Sequence, residues 1–228
     1  MTRVVVAVVG DSISAGSPLW DPDPCVRARI GAGADERSQW QWWATKSDPS
    51  LQFRTRAGYG RRTDEIARFL DDLLDGADLL VVQGGINDVA QRRPVEAAGR
   101  NLAAIVGKGR SLGLGVALAD VLPWPAGDER AAREIERLNE LIHAIADATL
   151  LPFHDSLAAV EGWSDDGDHP SIERRRAGPS HSSRAPRCSG WARRPASTTW
   201  TAAASACSSR STASMRTRKT RGSARWSG

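Results

Sequence analysis

Hydrophobic and polar positions follow two rhythms along the first three quarters of the chain. Val4-Val5-Val6-Ala7-Val8-Val9 is continuously apolar and mostly β-branched, the composition of a strand buried on both faces. A second strand is predicted over Leu51–Ala57. At Thr63 the period changes to that of a helix. Thr63 stands as N-cap, Asp64 and Glu65 fill the first turn, and Ile66, Phe69, Leu70, Leu73 and Leu74 fall on one face before Gly76. Leu79–Gln83 reads as a third strand, Pro94–Leu112 as a helix opened by proline and followed by Gly113, and Leu114–Ala119 as a fourth strand. A helix over Asp128–Ala148, with Ile135, Leu138, Ile142 and Ile145 inward, leads to a short fifth strand at Leu150–Phe153. Strands alternating with amphipathic helices predict an α/β class: a three-layer, flavodoxin-like fold of about five parallel strands, in the order 2-1-3-4-5, flanked by helices. In such a sheet ligands sit beyond the carboxyl ends of the strands.

Composition adds bounds to this picture. With 228 residues, 40% apolar and 25% charged, the chain is expected to form one globular domain. No window approaches twenty apolar residues, so no membrane span is expected. The first strand starts too early for a signal segment, which makes a cytoplasmic location the expectation. Cys25, Cys188 and Cys207 match neither a disulfide framework nor a metal-ligand spacing, and neither metal nor cofactor is called for. The net charge of +4 is an average of two unlike segments. Residues 1–173 carry −9, whereas residues 174–228 carry +13 with no Asp or Glu at all. Beyond Ile172 there is no Leu, Ile, Val or Phe, so this segment lacks the apolar surface to offset its ordering entropy. It reads as a disordered basic tail, or as an out-of-frame translation of a GC-rich gene, following a globular domain over 1–173.

The residues that carry chemistry stand just beyond the strands. Gly10-Asp11-Ser12 comes after the first, Gly58-Tyr59-Gly60 after the second, Gly84-Gly85-Ile86-Asn87-Asp88 after the third, and Asp165-Asp166-Gly167-Asp168-His169-Pro170 after the fifth. A serine, glycines, an asparagine and an Asp-x-x-His delivered to one rim are the components of acyl transfer through a serine nucleophile. Other readings fail on spacing. Residue 14 is Ser, so no Gly-x-Ser-x-Gly elbow exists, and no G-x-G-x-x-G or P-loop signature adjoins the first strand.

These four segments, in this order, resemble the blocks of the SGNH, or GDSL, hydrolase family: Gly10-Asp11-Ser12, Gly60, Gly85-Ile86-Asn87-Asp88 and Asp166-Gly167-Asp168-His169. The resemblance covers residues 3 to 173 and implies a flavodoxin-like fold with esterase, lipase, deacetylase or related acyl-transfer activity. Ser12 would be the nucleophile, His169 the base and Asp166 the carboxylate that fixes the imidazole tautomer. The Asp-x-x-His spacing selects Asp166 over Asp165 and Asp168. By the family pattern the oxyanion would be received by the backbone N–H groups of Ser12 and Gly60 and by the Asn87 amide. Glycine suits position 60 by letting the backbone approach the substrate. Simpler roles remain open for each: Ser12 as a helix cap, His169 as a surface histidine, Asn87 as a cap, and Gly58 in place of Gly60.

Substrate identity is less legible. Trp20 and Trp124 fall on loops able to approach the rim, and Trp40, Trp42 and Trp43 lie on an expected helix; aromatic walls suit acyl chains or sugar faces, and core packing is the plainer role. The expected reaction is hydrolysis of a small carboxylic ester with a short acyl or acetyl group. One alternative is an acyltransferase that passes the same acyl group to a sugar or alcohol. Another is a non-catalytic protein whose tail binds nucleic acid or anionic lipid, although no obligatory nucleic-acid partner is expected.

Overall fold

The computed structural model describes residues 3–145, 148–153, 163–164 and 166–170. The tail from 174 onward lies outside them, as does Asp165. Five parallel strands form one sheet, β1 (Val4–Gly10), β2 (Leu51–Ala57), β3 (Leu79–Val82), β4 (Gly115–Ala119) and β5 (Thr149–Leu151), in the order β2-β1-β3-β4-β5. The apolar run of β1 becomes the inner strand that its composition demands, with Val4 to Gly10 paired to Leu51 to Ala57 on one side and Val6 to Val9 paired to Leu79 to Val82 on the other.

Alternation along these strands sends side chains to two cores. Ala7, Val9, Leu80, Val82, Val116 and Leu118 face one layer of helices: α4 (Thr63–Ile66), α5 (Asp71–Leu74), α7 (Val95–Ser111) and α8 (Glu129–His143). Val6, Val8, Leu79, Val81 and Ala117 face the other, where Trp40 and Ala44 of α3 (Trp40–Ser47) pack. Leu80, Leu102, Ile105, Leu138 and Ile142 are fully enclosed, each contributing about 1.5–3 kcal/mol relative to exposure. Shorter helices α1 (Ser12–Ala15), α2 (Pro24–Ile30) and α6 (Ile86–Ala90) complete the set. No helix of the described residues is long and apolar enough to cross a membrane.

The helix expected from Thr63 to Gly76 is not continuous. It forms as α4, a 3-10 turn over Ala67–Phe69, and α5. The N-cap is Arg62 rather than Thr63, because the Thr63 N–H and hydroxyl both donate to the buried Asp88 carboxylate, each at 2.9 Å. Tightening to three residues per turn rotates Phe69 off the inward face; it is exposed, with the Arg61 guanidinium 4.4 Å from its ring centre. Ile66, Leu70, Leu73 and Leu74 keep the buried stripe. The other boundaries shift by at most five residues, and β2 not at all: α8 ends at His143, where Ala144 caps it, and β5 spans Thr149–Leu151.

Candidate active site

Ser12 opens α1 directly beyond β1. It is not the cap of that helix: Asp11 is, its Oδ1 accepting the Ile13 N–H at 2.9 Å. The helix is fixed from behind through Ser14, whose hydroxyl donates to Gln83 Oε1 at 2.8 Å and accepts from Trp40 Nε1 at 3.3 Å, while Gln41 Nε2 donates to the Ser14 carbonyl at 2.8 Å. Trp40 therefore serves packing and hydrogen bonding behind the site, edge-on to Phe53. Trp42 and Trp43 donate their indole N–H to Glu36 Oε1 and to the Arg37 carbonyl.

The loop after β2 carries Gly58, Tyr59 and Gly60. Gly60 sits at φ +72°, in the left-handed region, and a carbon added to it would meet nothing within 4 Å among the described residues. Conformation, rather than crowding by the protein, thus requires glycine there. Gly58 differs, since an added carbon would lie 2.9 Å from Arg61 Nε. Asn87 stands one residue inside α6 with Gly85 at the N-cap, so it does not cap that helix; its amide crosses to the Gly60 loop and donates to the Arg61 carbonyl at 3.1 Å.

The segment containing Asp166 and His169 is closed on itself. Trp163 bridges Pro170, and the Ser164 N–H donates to the His169 carbonyl at 2.7 Å. Inside this closure the Asp-x-x-His spacing has a direct geometric reason. Asp166 Oδ1 accepts the backbone N–H groups of Asp168 and His169 at 3.0 and 3.1 Å, which leaves Oδ2 to meet His169 Nδ1 at 2.7 Å. The Ser164 hydroxyl also lies against Oδ1. Partial burial pushes the Asp166 carboxyl upward, but the hydrogen bonds from Ser164, Asp168 and His169 outweigh it and hold it at about 2. His169 is buried. Asp168 has a different task, accepting Trp124 Nε1 at 2.7 Å and so tying this loop to the segment after β4.

Ser12, the Gly60 loop and Asn87 thus follow the carboxyl ends of β1, β2 and β3, with Asn87 tied to the Gly60 loop through Arg61. Tyr59 is exposed with its ring 6.4 Å from that of His169. Asp11, fully buried beside Ser12, is lifted by that burial to about 6, against the pull of the Ile13 N–H and the His169 charge. Among the described residues Ser12 Oγ makes no hydrogen bond to His169, whose Nδ1 is engaged by Asp166. Trp20 stacks under Arg27, 4.8 Å from its ring centre to the guanidinium, and Trp124 is engaged by Asp168. Among the described residues no three His, Cys, Asp or Glu side chains converge as a metal site. Sequence reasoning missed Ser164 and Gln91. The first sits two residues before Asp166 and the second one helical turn after Asn87, so both carried a positional signal.

Comparisons with known proteins identify the family and the fold. Residues 8–173 match the GDSL-like lipase/acylhydrolase family. No curated protein matches the chain. The psychrotrophic esterase EstA from Pseudoalteromonas sp., inhibited by monoethylphosphonate, is 21% identical over 75% of this chain and 90% of its own, with a TM-score of 0.55. A GDSL-like lipase from Bacteroides thetaiotaomicron is 20% identical over 75% and 82%, with a TM-score of 0.57. A lipase from a goat rumen metagenome is 17% identical over 77% and 97%, with a TM-score of 0.56. At these identities the structures speak to the shared fold.

Proposed function

The chain belongs to the GDSL-like lipase/acylhydrolase family and is an ester-hydrolysing enzyme, and from that premise we propose that it cleaves small carboxylic esters through an acyl-Ser12 intermediate. The observation that supports this most is the 2.7 Å hydrogen bond between Asp166 Oδ2 and His169 Nδ1. A carboxyl held at about 2 stays ionised at neutral pH, keeps the proton on Nδ1, and leaves Nε2 as the base.

Ser12 Oγ attacks the carbonyl carbon as its proton passes to His169 Nε2. Negative charge gathers on the carbonyl oxygen, where the N–H groups of Ser12 and Gly60 and the Asn87 amide receive it. Collapse breaks the bond to the alcohol, which takes the proton from Nε2. Water then attacks the acyl-Ser12 carbonyl with His169 again as base, releasing the acid and restoring the hydroxyl. The exposed Tyr59 ring, 6.4 Å from that of His169, gives the acyl group an aromatic neighbour, and short acyl or acetyl groups are the proposed substrates.

Hydrolysis of p-nitrophenyl acetate and butyrate by the wild type and by Ser12→Ala tests the reading. A loss of about a thousandfold or more is expected; equal rates would remove Ser12 from the chemistry.

A further inference from the structure

Among the described residues, nothing packs against the side of Gly60 on which a side chain would stand. Glycine has more backbone freedom than any other residue. Yet a donor for a developing oxyanion is effective only when aimed in advance. Hydrogen bonds arriving from one helix supply that fixity.

Gln91 Nε2 donates to the Gly60 carbonyl at 3.0 Å, and Asn87 Nδ2 donates to the next carbonyl, of Arg61, at 3.1 Å. Residues 87 and 91 are four apart, and the Gln91 N–H bonds the Asn87 carbonyl at 3.0 Å, so the two side chains rise from one helical face a turn apart. Two successive carbonyls are thereby pinned. The Gln91 amide is itself oriented: its Oε1 accepts Arg62 Nη1 at 2.9 Å. A guanidinium can only donate, so the NH₂ end must face Gly60. The Arg62 N–H, donating to Glu65 Oε2 at 2.9 Å, closes the far side of the segment.

We propose that Gln91 is a positioning residue for the oxyanion hole, fixing the left-handed Gly60 through its carbonyl so that the Gly60 N–H is aimed before substrate arrives. The inference rests on the proposed acyl-Ser12 mechanism, in which Gly60 and Asn87 receive the oxyanion. Gln91 touches no reacting atom and acts only through Gly60.

Gln91→Glu separates the two halves of the side chain, keeping its length and the acceptor for Arg62 while removing the donor to Gly60; Gln91→Ala removes both. Steady-state hydrolysis of p-nitrophenyl acetate is measured for each, beside Ser12→Ala and Asn87→Ala, with thermal melting of every variant. Both Gln91 variants are expected to lower kcat about tenfold with KM within about twofold, and Gln91→Glu to melt within about 2 °C of the wild type. Asn87→Ala is expected to lose about a hundredfold or more. Wild-type kcat in Gln91→Glu alongside a damaged Asn87→Ala overturns the positioning role and leaves the oxyanion reading standing. A slow Gln91→Ala beside an unimpaired Gln91→Glu overturns it too, since the Arg62 link would then be what matters. Unimpaired Asn87→Ala and Ser12→Ala would overturn the underlying mechanism, and the role of Gln91 with it.

Discussion

Asp11 and Asp166 are two carboxylates on one rim moved in opposite directions, and each movement fixes the sign of a pH dependence. Burial raises Asp11 from 3.8 to about 6. Between those values the folded state binds the proton that the unfolded chain has lost, so stability falls as pH rises from about 4 through 6 and is level above. Asp11→Asn removes that dependence. The variant should gain stability relative to the wild type between pH 4 and pH 7, by at most about 3 kcal/mol, read from urea unfolding at both pH values. A difference that does not change with pH would contradict it. Asp166 behaves in reverse: held at about 2 by its hydrogen bonds, it contributes stability above the ordinary carboxylate range that disappears as pH falls from about 4 to 2. Asp166→Asn should lower kcat about a hundredfold or more, and its deficit in melting temperature should close over that acid window. At this scale the sequence was informative wherever a motif spacing had a geometric cause, as with Asp166 and His169. It offered Gln91 only a positional signal, since that role depends on a carbonyl 31 positions away, and it placed Trp124 near the rim without its tie to Asp168.

Helices α4, α6 and α7 meet at one buried group. Asp88 of α6 accepts both the N–H and the hydroxyl of Thr63 at the start of α4, and that hydroxyl also accepts Asn101 Nδ2 of α7 at 3.0 Å. Asp88→Ala leaves buried donors unpaired, and a destabilisation of about 2–4 kcal/mol is expected in denaturant unfolding; a change under about 0.5 kcal/mol would show the junction to be dispensable. This junction explains why one element was only partly legible. The apolar stripe Ile66, Leu70, Leu73 and Leu74 has helical spacing and does bury, but local pattern could not reveal that Thr63 would be claimed by Asp88 or that the turn at Phe69 would tighten. β1 and β2 were legible to within one residue, because a continuous β-branched run and a run bounded by turn residues admit few alternatives.

For the whole molecule, strand order and the site are consequences of one another. A parallel sheet in the order β2-β1-β3-β4-β5 carries the segments after β1, β2 and β3 to one rim, which is why blocks far apart in sequence could be assigned to one site. The acidic residues 1–173 are proposed as the catalytic unit, with the basic segment beyond them outside the chemistry. A chain ending at Glu173 should keep kcat/KM within about threefold of the full chain, and a loss beyond tenfold would count against that division. The most direct test of the acyl-Ser12 mechanism is covalent trapping. After incubation with a p-nitrophenyl alkylphosphonate, peptide mass spectrometry should find one phosphonyl group, on Ser12, formed as p-nitrophenol is released and absent from Ser12→Ala. A stoichiometric adduct on another residue, or one retained in Ser12→Ala, would contradict the mechanism.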